Sequence, residues 1–249
     1  MPNSVKSLAK EIGADKYIIC GNGTFIYDLE KEEIIYDAFL EKSRVLEIIK
    51  ICEENSIYYN VYTEDSVLTK TLNYNALYYD NENSKKPIEK RTNINIVEDI
   101  YKYIKENSKI NILKMTICDS DKIIFSSILK KIKIIPKIDI LEVEHMSRKN
   151  IKKGSMDISL EYFYTEITSE NTNKWTAIEF LIKKLNIKKE EVIAIGDNAN
   201  DKEMVENAGL GVAMGNSMLQ ANKIGDVFVS DNNFDGVAEA INKYINSNK

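Results

Sequence analysis

The chain has 249 residues, 43% hydrophobic and 29% charged, the balance of a soluble globular protein with enough length to bury a sizeable core. Its formal net charge of −5, with acids and bases interspersed, excludes a global positive field that would gather nucleic acid or anionic lipid. A single histidine, His145, excludes a multi-histidine metal site, and the three scattered cysteines Cys20, Cys52 and Cys118 form no CxxC pair, which argues for core thiols in a reducing cytosol.

No apolar run approaches the ~20 residues that span a bilayer, and the opening MPNSVKSLAKEIG lacks the apolar centre of a signal peptide. A cytoplasmic protein without membrane or nucleic-acid partners is expected. The first element is a short helix over Ser4–Ile12, with Val5, Leu8 and Ile12 on one face and Gly13 as its stop. The compact apolar strand Lys16–Cys20 runs into Gly21-Asn22-Gly23, and Thr24–Tyr27 with Glu33–Tyr36 reads as a hairpin.

From about Lys42 the texture changes. A helix over Ser43–Glu54, a strand over Ile57–Tyr62 and a polar, low-order stretch around Asn81–Lys90 come first. A helix over Ile94–Glu106, a strand over Ile110–Ile117, a helix over Asp121–Ile132 and strands over Ile138–His145 and Asp157–Ile167 follow. Together these read as an α+β insertion. Its tyrosines Tyr58, Tyr59, Tyr62, Tyr78 and Tyr79 could line a pocket or simply pack in the core.

From Lys174 the pattern becomes regular parallel α/β. Trp175–Leu185 is an amphipathic helix with Ile178, Leu181, Ile182 and Leu185 on its inner face. Glu191–Gly196 is apolar on both faces, as a buried parallel strand must be. Helix Asp201–Ala208, strand Gly211–Met214, short helix Ser217–Ile224, strand Val227–Ser230 and helix Phe234–Ile245 complete the chain.

The strongest chemical signal is Gly196-Asp197-Asn198-Ala199-Asn200-Asp201, where a buried strand turns into a helix. Ligands of open α/β sheets bind at the carboxyl ends of strands, and carboxylates there suit a hard cation such as Mg2+. Asp197 or Asn198 could also serve merely as a helix cap. Lys174, at the start of the preceding helix, can reach the same strand end. An ammonium there stabilises a phosphoryl dianion, whereas helix-dipole chemistry alone would place it at the other end.

The run from Lys174 to Ala240 resembles the Cof-type phosphatases, subclass IIB of the haloacid dehalogenase superfamily. It carries GDNAND, AGLGVAMGN and NNFDGVAEAI where those proteins carry GDxxND, AGxGVAMGN and NxxDGVA. Their strand followed by NGA appears as Ile18-Ile19-Cys20-Gly21-Asn22-Gly23-Thr24, with Thr24 in place of alanine. The resemblance implies a Rossmann-like α/β core with a parallel sheet, made of residues 1–40 and 160–249 and shortened at its N-terminus. Residues 41–159 would then be an inserted α+β cap domain that selects the substrate.

In that family an aspartate of a DxDGT motif attacks a phosphate monoester to give an aspartyl-phosphate, and a second aspartate serves as acid and base. By resemblance, Lys174 orients the phosphate as the catalytic and substrate-binding lysine. Asp197 coordinates Mg2+ with Asp201 as its supporting acid, and Asn200, Asn22 and Gly23 contact phosphate or substrate.

Neither DxDGT nor TGR occurs in these residues, and Met1-Pro2-Asn3-Ser4-Val5 looks like the stretch just after the family's second motif. Against the family's layout, two strands and a helix are absent, which would leave naked strand edges and a weakened metal site. The expected function is Mg2+-dependent hydrolysis of small phosphate monoesters, such as sugar phosphates or nucleotide-like cofactors. The chain as it stands is expected to be inactive, and the alternative is a non-catalytic remnant or a pseudoenzyme that binds a small phosphorylated metabolite.

Overall fold

The computed structural model describes residues 2–14, 16–141, 146–153 and 156–245. The chain divides into two compact units, Met1–Thr172 and Asn173–Lys249. No helix among the described residues is long and apolar enough to cross a membrane.

The first unit opens with α1 (Pro2–Glu11), stopped at Gly13 with φ +66°, a left-handed conformation that glycine adopts without cost. The strands β1 (Tyr17–Cys20), β2 (Phe25–Asp28) and β3 (Glu33–Asp37) form an antiparallel three-stranded sheet, with Cys20 opposite Phe25 and Phe25 opposite Asp37. The expected hairpin is therefore present. Between β1 and β2, residues 21–23 all take positive φ, of 61°, 59° and 101°. Two of the three being glycine, and the third asparagine, makes this tight turn affordable. Thr24 is fully buried and its Oγ1 donates to the Gly21 carbonyl at 2.6 Å, so the departure from alanine pins the turn from within.

The rest of the unit is α2 (Lys42–Glu54), β4 (Tyr58–Thr63), β5 (Val67–Thr69), α3 (Tyr74–Asn83), β6 (Ile94–Ile96), α4 (Ile100–Glu106), β7 (Ile112–Asp119), α5 (Lys122–Ile132), β8 (Ile138–Leu141), β9 (Ser147–Lys153) and β10 (Met156–Ser169). Seven strands join in one sheet, ordered β6-β5-β4-β7-β10-β8 with β9 paired to β10. Alternation along the strands sorts the two faces. Tyr59, Val61, Met115, Ile117 and Ile167 pack with Val45, Ile48, Ile49 and Cys52 of α2, with Ile100 and Ile104 of α4, and with Phe125, Ile128 and Ile132 of α5. The opposite face is mixed: Tyr62, Val67 and Leu113 pack with Ala9, Ile18, Cys20 and Phe25, and the rest carries a polar network. Asn75 of α3, 8% exposed, accepts from Asn60 Nδ2 at 2.6 Å, and its own amide donates to Tyr62 Oη at 2.7 Å and Thr116 Oγ1 at 3.0 Å.

Several expectations change here. The helix expected over Ile94–Glu106 is two elements: the β-branched run from Ile94 pairs in parallel with β5, and Asp99 then caps α4 by accepting from the Lys102 amide at 2.8 Å. The stretch expected to lack order around Asn81–Lys90 holds the end of α3 and a 3-10 turn at Ile88–Lys90. β9 was not anticipated. The strand expected to reach His145 is described as far as Leu141, and His145 lies outside the described residues. The boundary expected at residue 160 falls inside β10, which belongs whole to the seven-stranded sheet because it pairs with β7, β8 and β9 along its length.

The second unit contains α6 (Lys174–Leu185), β11 (Ile193–Gly196), α7 (Lys202–Asn207), β12 (Leu210–Ala213), α8 (Met218–Ala221), β13 (Val227–Phe228) and α9 (Gly236–Tyr244). Its sheet is parallel, ordered β11-β12-β13. Val212, Met214, Val229 and Ala240 form one core layer, and Val205, Ala213 and Leu219 the other. Gly211 is required by packing: a Cβ there would sit 2.0 Å from the Val205 carbonyl oxygen of α7. The inner face expected for α6 is only partly covered. Trp175 and Ala177 are buried, Ile178, Leu181 and Ile182 are half-buried, and Leu185 is 43% exposed.

All three cysteines are free and buried, and burial pushes the Cys20 thiol up to about 11 and raises Cys52 and Cys118 too. A thiol-specific aromatic disulfide reagent at pH 8 should therefore label the folded chain slowly at every cysteine and all three at once after denaturation. Immediate labelling of a folded cysteine would contradict this packing.

Candidate active site

The carboxyl end of β11 is where the second unit gathers its charge. Gly196 closes the strand against α7, and a Cβ there would meet the Asp201 Cβ at 2.5 Å, so only glycine permits the approach. Beyond it, Asn198 begins a 3-10 turn over Ala199–Asp201 that leads into α7. The Asp201 carboxylate, buried with 4% of the residue exposed, folds back over this turn. Its Oδ2 accepts from the backbone amides of Asp197 and Asn198, each at 3.1 Å, and its Oδ1 accepts a short bond from Lys174 Nζ. Lys174 is held in place by its own helix start, where Asn173 accepts from the Thr176 amide at 3.0 Å in a capping box.

The two acids are electrostatically unlike. Asp201 loses solvent, but the Lys174 ammonium and two backbone amides hold its carboxyl below the usual carboxylate range. Asp197 is pushed up, by partial loss of solvent at its carboxyl and by the neighbouring Asp201. The residue itself is exposed, its carboxyl is bonded to the neighbouring Asp201 and to its own backbone amide, and the Lys174 charge works against the rise.

Lys174, Asp197 and Asp201 line one cavity of 590 Å³ together with Asn198, Met214, Asn216 and Asn232. The structure thus places three of the expected site residues around one space. Asn200 is not part of that lining and is half-buried in the turn. Asn22 and Gly23 belong to the first unit, where Asn22 Nδ2 donates to Glu166 Oε2 at 3.1 Å. The Glu166 carboxylate also takes Lys114 Nζ at 2.5 Å, so the turn before β2 is tied to β7 and β10 through one half-buried ion pair.

Asn216 was not anticipated as a site residue. It sits in AGLGVAMGN with φ +58°, its amide donates to Gln220 Oε1 at 2.9 Å, and its side chain donates to Asp231 Oδ2 at 2.7 Å. The Gly-Asn pair at 215–216 after β12, a dipeptide that favours a turn, was the available signal.

A hard divalent cation can be tested against these donors. Asp197 offers an exposed carboxylate on the cavity wall, and this suits one corner of an Mg2+ octahedron. Asp201 fits as a support rather than as a direct ligand, because both of its oxygens are already engaged. No group of three or more His, Cys, Asp or Glu side chains converges on a metal position among the described residues. The donors therefore fit part of such a site.

A family model of haloacid dehalogenase-like hydrolases matches residues 1–241, so the chain belongs to that family. Phosphatase YwpJ of Bacillus subtilis (strain 168) is 28% identical over 250 residues, covering 94% of this chain and 81% of that protein. A 5-amino-6-(5-phospho-D-ribitylamino)uracil phosphatase, YcsE of the same organism, is 39% identical over 80 residues, 32% of each chain. A haloacid dehalogenase-like hydrolase from Bacteroides thetaiotaomicron superposes with a TM-score of 0.73 at 24% identity, covering 97% of this chain and 82% of that one. A subclass IIB sugar phosphatase superposes at 0.67 with 18% identity, covering 96% and 79%. The haloacid dehalogenase resemblance read from GDNAND and AGLGVAMGN is borne out, and the mixed α/β fold is that of hydrolases of this superfamily with a cap domain.

Replacing Asp201 should show what it holds. Asp201→Asn is expected to lower the stability of the second unit by about 1–3 kcal/mol, since a buried ionic acceptor of three donors is lost. Trp175, the chain's single tryptophan and 7% exposed in α6, reports that unfolding by fluorescence in a denaturant titration. Because the folded-state pKa of Asp201 lies below its unfolded value of about 3.9, the stabilisation is complete above that pH and lost as pH falls through the lowered value. The gap between wild type and variant should therefore close in acid, and a gap that persists there would contradict the ionic role.

Proposed function

We propose that this site is the phosphate- and Mg2+-binding end of a phosphatase that acts on small phosphate monoesters, with sugar phosphates and nucleotide-like cofactors as the substrate class. The observation that carries this reading is the shared cavity at the β11 end, with the Lys174 ammonium and the Asp197 carboxylate on its wall. YwpJ, matched along most of both chains, is a phosphatase, which supports the same reaction class.

The residues act as follows. Lys174 presents its ammonium to the cavity while paired with Asp201, and attracts and orients a phosphoryl dianion through charge alone. Asp201 positions that ammonium and keeps the Asp197–Asn198 turn folded, with Asp197 on the cavity wall. Asp197 and neighbouring amide oxygens would hold Mg2+. When bound, the cation neutralises phosphoryl charge. Asn216 and Asn232, on the lining, offer amides to the ester's polar groups. The seven-stranded sheet with its helices is read as the cap that selects the substrate, and the protein as cytoplasmic.

These 249 residues contain no DxDGT sequence, so no carboxylate is assigned as the nucleophile. The chain alone is expected to release no phosphate from an aryl phosphate with Mg2+ present. A longer chain carrying a DxDGT and TGR segment ahead of residue 1 should turn over. In that longer chain, Asp197→Ala and Lys174→Met should each cost at least ~100-fold in Mg2+-dependent turnover. Turnover by the 249 residues that vanishes on Asp197→Ala would show a nucleophile within them. An inert longer chain would favour the pseudoenzyme that binds a phosphorylated metabolite without hydrolysing it.

A further inference from the structure

The first unit carries a cleft of 490 Å³ that the phosphatase reading does not use. It lies at one end of the seven-stranded sheet, among the end of α2, the start of β4, the loop after β5, the first turn of α3 and the last residue of β7. Glu53, Tyr58, Tyr59, Lys70, Tyr74 and Asp119 define its chemistry. We propose that this cleft binds a small organic cation, a quaternary or alkylated ammonium group, against its tyrosine rings and Asp119.

The hydroxyls of Tyr58 and Tyr59 are already spent within the protein. Tyr59 donates to Glu53 Oε1 at 2.6 Å. Tyr58 donates to the Thr71 carbonyl at 3.0 Å and shares a bond of 2.9 Å with Thr69 Oγ1. What these side chains have left to offer a ligand is their rings. Tyr74 is fixed among them, its ring 5.2 Å from that of Tyr58 at 68° and 5.1 Å from that of Tyr162. Rings of this kind attract cations through their quadrupole, most strongly where solvent is partly excluded.

The charges favour the same ligand. Lys70 Nζ lies 2.6 Å from Glu53 Oε1, so that pair cancels. Asp119 enters no salt bridge among the described residues: its Oδ1 accepts from the Asp121 amide at 2.7 Å. One carboxylate is therefore unanswered beside an aromatic wall. An anion is disfavoured, since the cleft's single ammonium is committed to Glu53 and the first amide of α3 is capped by Asn73 at 3.0 Å. A strongly hydrated metal ion is disfavoured too, because rings replace none of its oxygen ligands.

Titration of the whole chain with choline, followed by ligand-observed NMR against sodium chloride of equal ionic strength, tests the assignment. Saturable binding is expected. Asp119→Asn should weaken it about tenfold, and Tyr74→Leu by a similar factor, with circular dichroism unchanged in both. Lys70→Met should tighten it several-fold by freeing Glu53. The uncharged carbon isostere of choline should bind at least about tenfold more weakly than choline. No saturable binding of choline, equal binding of the isostere, or an affinity untouched by Asp119→Asn would each overturn the proposal.

Discussion

The second unit depends on one carboxylate turned inward. Asp201 collects an ammonium and two backbone amides at the point where β11 gives way to α7, and each bond fixes a different part of the site. The amides set the turn that projects Asp197. The ammonium is brought from α6, a separate element, to the same strand end. A buried acid is costly unless its oxygens are satisfied, and here that requirement and the assembly of the site are the same event. The neighbouring Asp197 inherits the opposite condition: an exposed acid next to another acid. Within one turn the fold holds one carboxyl below the usual range and pushes its neighbour above it, out of the same residue type.

Much of this was legible in the sequence because the relevant constraints are local. Gly196 before Asp197 marks a strand end against which Asp201 packs, and the spacing from Asp197 to Asp201 is that of one turn, so GDNAND could be read as a site without coordinates. The parallel α/β rhythm after Lys174 was equally readable, since strands apolar on both faces and short helices alternate there. The division of labour between the acids was not legible. It depends on which carboxylate Lys174 reaches, and that is decided by how α6 packs on α7. Nor was the bond from Asn22 to Glu166 legible, since Glu166 is contributed by a strand far along the chain.

The first unit was read less well, for a physical reason. Its sheet is covered by α2, α4 and α5 on one side, while on the other Val67 and Leu113 pack toward Cys20 and Phe25 and the part under α3 is a network of Asn60, Tyr62 and Thr116 with Asn75. A polar network that satisfies itself looks, in sequence, like a surface or a loop. The short strand β6 was lost inside a helical pattern for the opposite reason: Ile94 and Ile96 satisfy either periodicity, and the parallel pairing with β5 decides between them. The tyrosines resolve both ways, Tyr59 and Tyr62 being buried while Tyr58 and Tyr59 also wall the cleft near the start of β4.

Whether the β11 end grips a divalent ion is open to direct observation by paramagnetic relaxation. Mn2+ takes the same oxygen ligands as Mg2+, and even weak, transient occupancy broadens nearby amide resonances. Titrated into the 15N-labelled chain, Mn2+ should broaden Asp197, Asn198 and Asn216 before any other amides, and Asp197→Asn should abolish that preference. Broadening that begins elsewhere, or that survives Asp197→Asn unchanged, would contradict the assignment of this strand end as the cation and phosphoryl site.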